Sequence, residues 1–360
     1  MEEKLHLLGC EKEELEKLVG ELGEPRFRAQ QIFRGLHQRR LDAFSDFTDM
    51  PKAFRALLAE RFATRKLALK SRYVSSDGTR RYLFETDRGN PVETVYIPTE
   101  SRDTICFSSQ SGCALKCDFC LTAKLGFLQN LSVGEIVEQI VFVLNDVYGI
   151  GNETPYGTNL VAMGAGEPFH NLDNLAKAVA LMSHEDGLFI VPGRITVSTA
   201  GVVPKFEEFA RLEKRPNLAI SLSAANDPLR DVLMPINTKW NLDQLMRAAF
   251  DFQKTLKRGE RFTFEYVLLQ GVNDSEEDAS QLAQLLRKYR LRRAKINLIP
   301  HNSAEPLAYQ APEAESVLRF KKTLENAGVS AYLRRPRGND IFAACGQLAA
   351  REIALAAETE

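Results

Sequence analysis

Two periodicities divide the chain near Thr104. Before it, apolar residues recur at helical spacing in EKEELEKLVGEL (11–22), RFRAQQIFRGLHQR (26–39) and PKAFRALLAERF (51–62), with Pro51 at a helix start. Alternating segments follow, KSRYVSS (70–76) and RRYLFET (80–86), parted by the Asp77-Gly78 turn signal; an RGNP turn then leads into VETVYIP (92–98). From Thr104 onward short β-branched runs alternate with amphipathic stretches. The predicted strands are TICFS (104–108), LVAMG (160–164), RITVST (194–199), NLAISLS (217–223), FTFEYVLL (262–269), KINLIP (295–300) and VSAYLRR (329–335). Between the first two lies SVGEIVEQIVFVLNDVYG, where Ser132 and Glu135 have capping-box spacing.

Strand-helix alternation of this length predicts an α/β fold with a parallel sheet and helices outside, in the form of a partial (β/α)6-type barrel. The expected organisation is a helical accessory domain over 1–66, a β linker over 67–98, the barrel over 99–345 and a C-terminal tail over 346–360. Barrel chemistry sits at the C-terminal ends of strands. The unusual residues fall there: a cysteine cluster after the first strand, Gly166-Glu167-Pro168 after the second, Ser198 on the third, Ser221 to Ser223 closing the fourth, and Asn297 on the sixth.

Charge modifies this picture locally. The net charge is -1, yet residues 1–24 carry eight Glu against three Lys, and residues 26–82 carry fourteen Lys or Arg against five acids. Binding responds to the local field, so Arg26, Arg28, Arg34, Arg39, Arg40 and Arg55 point to an RNA-docking face. Phe27, Phe33 and Phe54 are interleaved with them, and at helical spacing such rings more often fill a core. No apolar run approaches the ~20 residues of a membrane span and no secretion signal opens the chain, so a cytoplasmic protein is expected.

In a reducing compartment, clustered cysteines bind metal or do chemistry more often than they form bridges. CALKCDFC sets Cys113, Cys117 and Cys120 in a C-x3-C-x2-C loop, a three-thiolate site for a soft metal or an iron-sulfur cluster. Structural zinc is the alternative. It usually takes four protein ligands, and the nearest downstream histidine is His170.

The ordered set ETVYIP, TICFSSQSGCALKCDFC, GEP, STAGVVP, RDVLMPIN, GVND, INLIP and RGNDIFAACGQL resembles the RlmN family of the radical S-adenosylmethionine superfamily, adenine carbon-2 RNA methyltransferases. The resemblance covers nearly the whole chain. It implies a radical S-adenosylmethionine barrel in which Cys113, Cys117 and Cys120 hold a [4Fe-4S] cluster with one iron open to S-adenosylmethionine. Gly166, Glu167, Ser198, Ser221, Leu222, Ser223 and Asn297 would contact that molecule. Cys345 would accept a methyl group as S-methylcysteine, Glu93 would take the ring proton, and Cys106 would help release the product. Two S-adenosylmethionine molecules would be spent per turnover. The implied partners are 23S ribosomal RNA, tRNA at the adenosine next to the anticodon, and an electron donor such as flavodoxin or ferredoxin.

This reading explains the cysteine arithmetic. Carbon 2 of adenine is a poor nucleophile and cannot displace a methyl group from a sulfonium, whereas a thiolate can. Arg334, Arg335 and Arg337 lie near Cys345 in sequence and would favour its thiolate or bind phosphate. Cys10 belongs to no motif and is expected to be structural. The sequence departs from the family pattern at Ser223, where His is common, at Ala165, where Met is common, and in the non-basic end REIALAAETE. Three rivals remain: a Cfr-type carbon-8 methyltransferase, a radical enzyme acting on a small molecule or a protein, and a non-catalytic metal-containing RNA-binding protein.

Overall fold

The computed structural model describes residues 4–154, 157–303 and 307–347. Strand β1 (Leu5–His6), helices α1 (Lys12–Glu21), α2 (Phe27–His37) and α3 (Lys52–Arg61), and strand β2 (Phe62–Ala63) form an N-terminal module, closed by parallel pairing of β1 with β2. Then come β3 (Ala68–Val74), β4 (Arg80–Glu85), β5 (Pro91–Pro98) and β6 (Asp103–Phe107). The chain continues through β7 (Gln110–Gly112), α4 (Leu121–Lys124), β8 (Phe127–Asn130) and α5 (Val133–Tyr148). Alternating units follow as β9 (Thr158–Ala162), α6 (Leu172–Met182), β10 (Ile195–Thr199), α7 (Phe206–Ala210), β11 (Asn217–Ser221) and α8 (Asp227–Leu233). The last are α9 (Leu242–Lys254), β12 (Phe262–Leu268), α10 (Glu276–Lys288), β13 (Ala294–Pro300), α11 (Ala314–Asn326) and β14 (Ala331–Leu333). Of the tail expected at 346–360, residues 348–360, including REIALAAETE, lie outside the described residues.

One ten-stranded sheet runs β14-β13-β12-β11-β10-β9-β6-β5-β4-β3. From β6 to β14 neighbouring strands are parallel, as crossover helices require, which gives the expected partial barrel. The segment expected as a β linker is hydrogen-bonded into the same sheet, because β5 pairs antiparallel with β6 from Val95↔Cys106 to Pro98↔Asp103. Period-two alternation sorts the faces. Ile105 and Phe107 enter the main core, while Cys106 joins Val95 and Ala343 in a separate small cluster. Along β12, Phe262, Phe264 and Tyr266 take the core side, leaving Thr263, Glu265 and Val267 for the inner face.

Helix α5 holds the N-terminal module against the barrel. Its start is fixed by the predicted capping box, in which the Glu135 backbone N–H donates to Ser132 Oγ and the Ser132 backbone N–H donates to Glu135 Oε2 at 2.7 Å. Buried Glu138 accepts hydrogen bonds from the backbone N–H groups of Lys66 and Leu67. Arg40, expected on an RNA-docking face, is instead buried and donates to the Asn145 side chain and to the Gly149 and Asn152 carbonyls. Arg26, Arg28, Arg34 and Arg39 are paired with Glu16, Glu24, Asp186 and Asp49, and Arg55 donates to the Ser45 carbonyl. Phe33 and Phe54 are core residues, and Phe27 is exposed. Cys10 is buried with its thiol directed at the His6 carbonyl, in keeping with a structural role. Among the described residues no helix is long and apolar enough to cross a membrane.

His37 ends α2 fully buried, packed against Phe33 with ring centroids 4.4 Å apart and planes tilted by 32°, and neither ring nitrogen is hydrogen-bonded. Burial drives its pKa from 6.5 down to about 3, with His184 and His6 adding smaller downward pushes. An unfolded chain binds a proton there once the pH falls below 6.5 and the folded chain does not, so stability declines with acidification. Substituting His37→Phe is expected to flatten the fall of the thermal midpoint below pH 6.5, measured by thermal unfolding across a pH series. An unchanged slope would remove His37 as its source.

Candidate active site

The cysteine loop is suspended between β7 and β8, which pair antiparallel. The Cys113 backbone N–H donates to the Gly126 carbonyl at 2.8 Å, and the Asp118 N–H donates to Leu233 at 3.0 Å. At Gly112 the crossing strand is so close that an added Cβ would lie 1.9 Å from the Gly126 carbonyl oxygen. Burial pushes the Cys113 thiol up to about 12 and raises Cys117 and Cys120 too, with the charges of neighbouring thiols adding to the rise. Protonated thiols of this kind exchange protons for a metal when one binds.

These thiols line a cleft that is partly open to solvent. Gly166, Glu167, Ser198, Ser221 and Cys345 line the same cleft. Gly166 has φ +102°, and a Cβ there would come within 2.5 Å of Gln110 Cβ, so the chain passes in close contact with β7. Glu167 is buried; its Oε1 accepts from the Phe169 N–H at 3.0 Å and its Oε2 from the Ala200 N–H at 2.8 Å. Burial raises its pKa to about 7 despite those donors. Ser198 and Ser221 face one another with Oγ atoms 3.5 Å apart.

Cys345 reaches the cleft from the C-terminal loop. The backbone N–H of Leu121, next to Cys120, donates to the Gly346 carbonyl at 3.0 Å, so the loops bearing the three thiols and Cys345 are hydrogen-bonded together. Asn302 Nδ2 donates to the Cys345 carbonyl at 3.2 Å. Arg334 lines this part of the cleft, and its charge acts on both Cys345 and Cys106. Cys106 lies behind the loop against Ala343, and burial first, then the Cys345 charge, pushes its thiol up to about 12.

Other residues singled out in the sequence stand outside the cleft lining. Leu222 and Ser223 are fully buried; the Leu222 N–H donates to the Glu265 carbonyl, and Ser223 Oγ accepts from the Val267 N–H. Asn297 donates from Nδ2 to Glu265 Oε1 at 2.8 Å. Glu93 is buried and accepts from Arg81 Nε at 2.7 Å, while Arg81 Nη1 donates to the Ile341 carbonyl in the Cys345 loop. Arg81 thereby bridges Glu93 and that loop.

Two site residues were missed in the sequence. Glu265 on β12 lines the cleft, although an acid inside an apolar strand at the spacing of Thr263 and Val267 was a readable signal. Arg230, in RDVLMPIN, is fully buried and donates to the Leu222, Ala200 and Ser221 carbonyls and to Asn237 Oδ1. Its charge acts on Cys117, opposing the rise in that thiol, and burial lowers its own pKa to about 10.

Comparison with known proteins agrees with this geometry. Residues 107–283 match the Radical SAM superfamily, and residues 5–63 match the ribosomal RNA large subunit methyltransferase N-terminal domain. The chain is 45% identical over 348 residues to a probable dual-specificity RNA methyltransferase RlmN of Koribacter versatilis, covering 92% of this chain and 98% of that one. It is 42% identical to a dual-specificity RNA methyltransferase RlmN of Alkalilimnicola ehrlichii, covering 96% and 93%. The crystal structure of a radical SAM methyltransferase from Sphaerobacter thermophilus superposes with a TM-score of 0.90 at 38% identity, over 95% of this chain and 98% of that one. On these relationships, the chain belongs to the RlmN family of the radical SAM superfamily.

Proposed function

We propose that this protein methylates carbon 2 of adenine in 23S ribosomal RNA and in tRNA, at the adenosine next to the anticodon, through a methyl group carried on Cys345. The observation that carries the reading is the shared cleft: three thiols of one loop and a fourth thiol, Cys345, on a loop hydrogen-bonded to it through Leu121 and Gly346.

The donor set fits a [4Fe-4S] cluster. Cys113, Cys117 and Cys120 would hold it, with the buried Arg230 guanidinium offsetting thiolate charge beside Cys117. Among the described residues no group of three or more His, Cys, Asp or Glu side chains is placed to hold a single metal ion. Zinc would need its donors within roughly 2.0–2.3 Å of one point. When bound, the cluster and S-adenosylmethionine supply one-electron reduction, a carbon radical and the methyl donor, two S-adenosylmethionine molecules being used per turnover.

The chain's own groups do the rest. Glu167 and Ser198 line the wall where the methionine part would be bound and oriented. Arg334 lines the cleft with Cys345, whose Sγ takes the methyl group by displacement. Once that methyl carbon is joined to the ring, the RNA is held on Cys345 through a thioether. Glu93 takes the ring proton as the radical adduct gives up one electron, which returns to the redox group that the three thiols would hold. The Cys106 thiolate then attacks Cys345 Sγ: a sulfur-sulfur bond forms, the carbon-sulfur bond breaks, and its electron pair stays with the base, which picks up a proton. A flavodoxin or ferredoxin type donor would supply reducing equivalents.

RNA binding has two supports. Arg102, Arg335 and Arg337 flank a second cleft that opens on Cys345, a setting for backbone phosphates beside an extruded base. On the N-terminal module, exposed Lys52 and Arg61 make no ion pair among the described residues, and Phe27 is exposed beside Arg28. The test is anaerobic incubation of the cluster-loaded protein with reductant, S-adenosylmethionine and ribosomal RNA or tRNA, followed by nucleoside analysis. 2-Methyladenosine is expected. 8-Methyladenosine as the main product would transfer the protein to the Cfr-type reaction, and absence of 5'-deoxyadenosine would favour a non-catalytic role.

A further inference from the structure

The foot of the barrel, at the N-terminal ends of β12 and β13, concentrates positive charge far from the cysteines. Residues 287–295 hold Arg287, Lys288, Arg290, Arg292, Arg293 and Lys295 with no acid. Residues 254–261 hold Lys254, Lys257, Arg258 and Arg261 against Glu260. Ten cations thus meet one acid, in a chain whose net charge is -1. Lys254 is paired with Asp251, and Glu260 with Arg215; the other nine cations form no ion pair among the described residues.

Strand register and hydrogen bonds hold the two segments side by side. Phe262 at the start of β12 is registered with Ala294 at the start of β13. Gln253 Nε2 donates to the Arg290 carbonyl at 3.1 Å, and Arg261 Nη1 donates to the Arg292 carbonyl at 3.3 Å. The Arg293 backbone N–H donates to Gln253 Oε1 at 2.8 Å. Of the nine unpaired cations, all but Arg293 and Lys295 are exposed. Like charges crowded in this way repel one another, and a polyanion relieves the repulsion. Guanidinium groups outnumber ammonium groups two to one among the nine, and their planar forks match phosphate oxygens.

Strand β14 joins this surface to the active cleft. Ser330, just before it, lines a cleft with Arg287, Arg290 and Arg292. Arg334 and Arg335, just after it, line the cleft that opens on Cys345. The five steps from Ser330 to Arg335 span roughly 17 Å at the spacing of a strand. Between them Tyr332 is 51% exposed, with Lys295 Nζ 5.4 Å from its ring centroid. Cations interleaved with an exposed ring suit an RNA strand, which brings both phosphates and bases, better than an acidic protein surface.

We propose that the foot of the barrel is a second RNA-contact surface, which binds backbone phosphates of RNA extending past the nucleotide beside Cys345. The inference rests on the functional reading above, because RNA seated in that cleft is what brings further phosphates along β14.

The test is equilibrium binding over a series of salt concentrations, with thermal midpoint and iron content as controls. The proteins are cluster-loaded wild type, a triple variant Arg287→Gln, Arg290→Gln, Arg292→Gln, and a triple variant with lysine at the same three positions. The probes are a folded fragment of 23S ribosomal RNA and a five-nucleotide RNA centred on the target adenosine. The two flanking nucleotides of the short probe reach about 7 Å to either side when stacked, too short for the foot of the barrel. For the fragment, the glutamine variant is expected to lose about tenfold in affinity at low salt. Its slope of log affinity against log salt should fall by about two, at ~0.7 to 0.9 for each phosphate contact removed. The lysine variant should keep the wild-type slope, and the short probe should bind all three proteins alike. The proposal is overturned if the glutamine variant binds the fragment with wild-type affinity and slope; loss of flavodoxin binding by that variant would then assign the surface to an acidic protein. It is overturned equally if the short probe loses as much as the fragment, or if lysine replaces arginine no better than glutamine does. Failure of wild type to methylate adenine in the fragment would instead refute the functional reading and leave the binding comparison standing.

Discussion

Replacing Cys345 with alanine is expected to abolish methyl incorporation into RNA, by at least about a thousandfold, the scale on which loss of a covalent nucleophile acts. Iron and sulfide content should remain at the wild-type level. The cysteine loop is held through main-chain bonds, Cys113 N–H to Gly126 and Leu121 N–H to Gly346, neither of which involves the Cys345 side chain. The side chain is half-buried at the cleft wall, so truncation leaves a small solvent-accessible gap with little effect on folding. Reductive cleavage of S-adenosylmethionine to 5'-deoxyadenosine should therefore survive while RNA stays unmodified. Methylation by the variant, counted with isotopically labelled methyl groups, would mean that another group carries the methyl.

The Cys106→Ala variant is expected to stop after one chemical event, with RNA held on Cys345 in near-stoichiometric amount and multiple turnover lost by about a thousandfold. Cys106 is 7% exposed and packs against Val95 and Ala343, so alanine preserves an apolar contact there at a cost of about 1 kcal/mol. Burial pushes the Cys106 thiol up to about 12 in the resting protein, with the charge of Cys345 the next largest cause. Denaturing electrophoresis of the reaction mixture reports the outcome: a slow-migrating species that nuclease digestion collapses. Normal turnover without such a species would sink the assigned role.

Both experiments probe residues visible in the sequence, and the reason they were visible is local. TICFS, RITVST and NLAISLS are short β-branched runs buried on the sheet's helix side, and their strands form within one or two residues of the predicted ends. The Ser132 capping box and the three helices before residue 62 are likewise encoded within a few neighbouring positions. What stayed hidden depends on partners distant in sequence. QSG and FLQN are too short to show alternation, so the β7–β8 frame of the cysteine loop was not foreseen. The union of β5 with β6 is a pairing choice that neither segment states alone. Arg40 looked like part of a basic face, yet its partners Asn145, Gly149 and Asn152 lie more than a hundred positions away. For Glu265 the pattern held a clue, but its meaning required Asn297 from the next strand.

Strand β6 is flanked on both sides, by antiparallel β5 and by parallel β9. Its thiol is consequently anchored on a strand held by two ladders of main-chain bonds. Cys345, by contrast, rides on the segment between Arg334 and Gln347, whose one regular element among the described residues is the short 3-10 turn Asn339–Ile341. Bond exchange between sulfurs demands approach within narrow limits of distance and torsion. For the sulfur exchange proposed above, whatever adjustment they require falls on the segment and not on the strand.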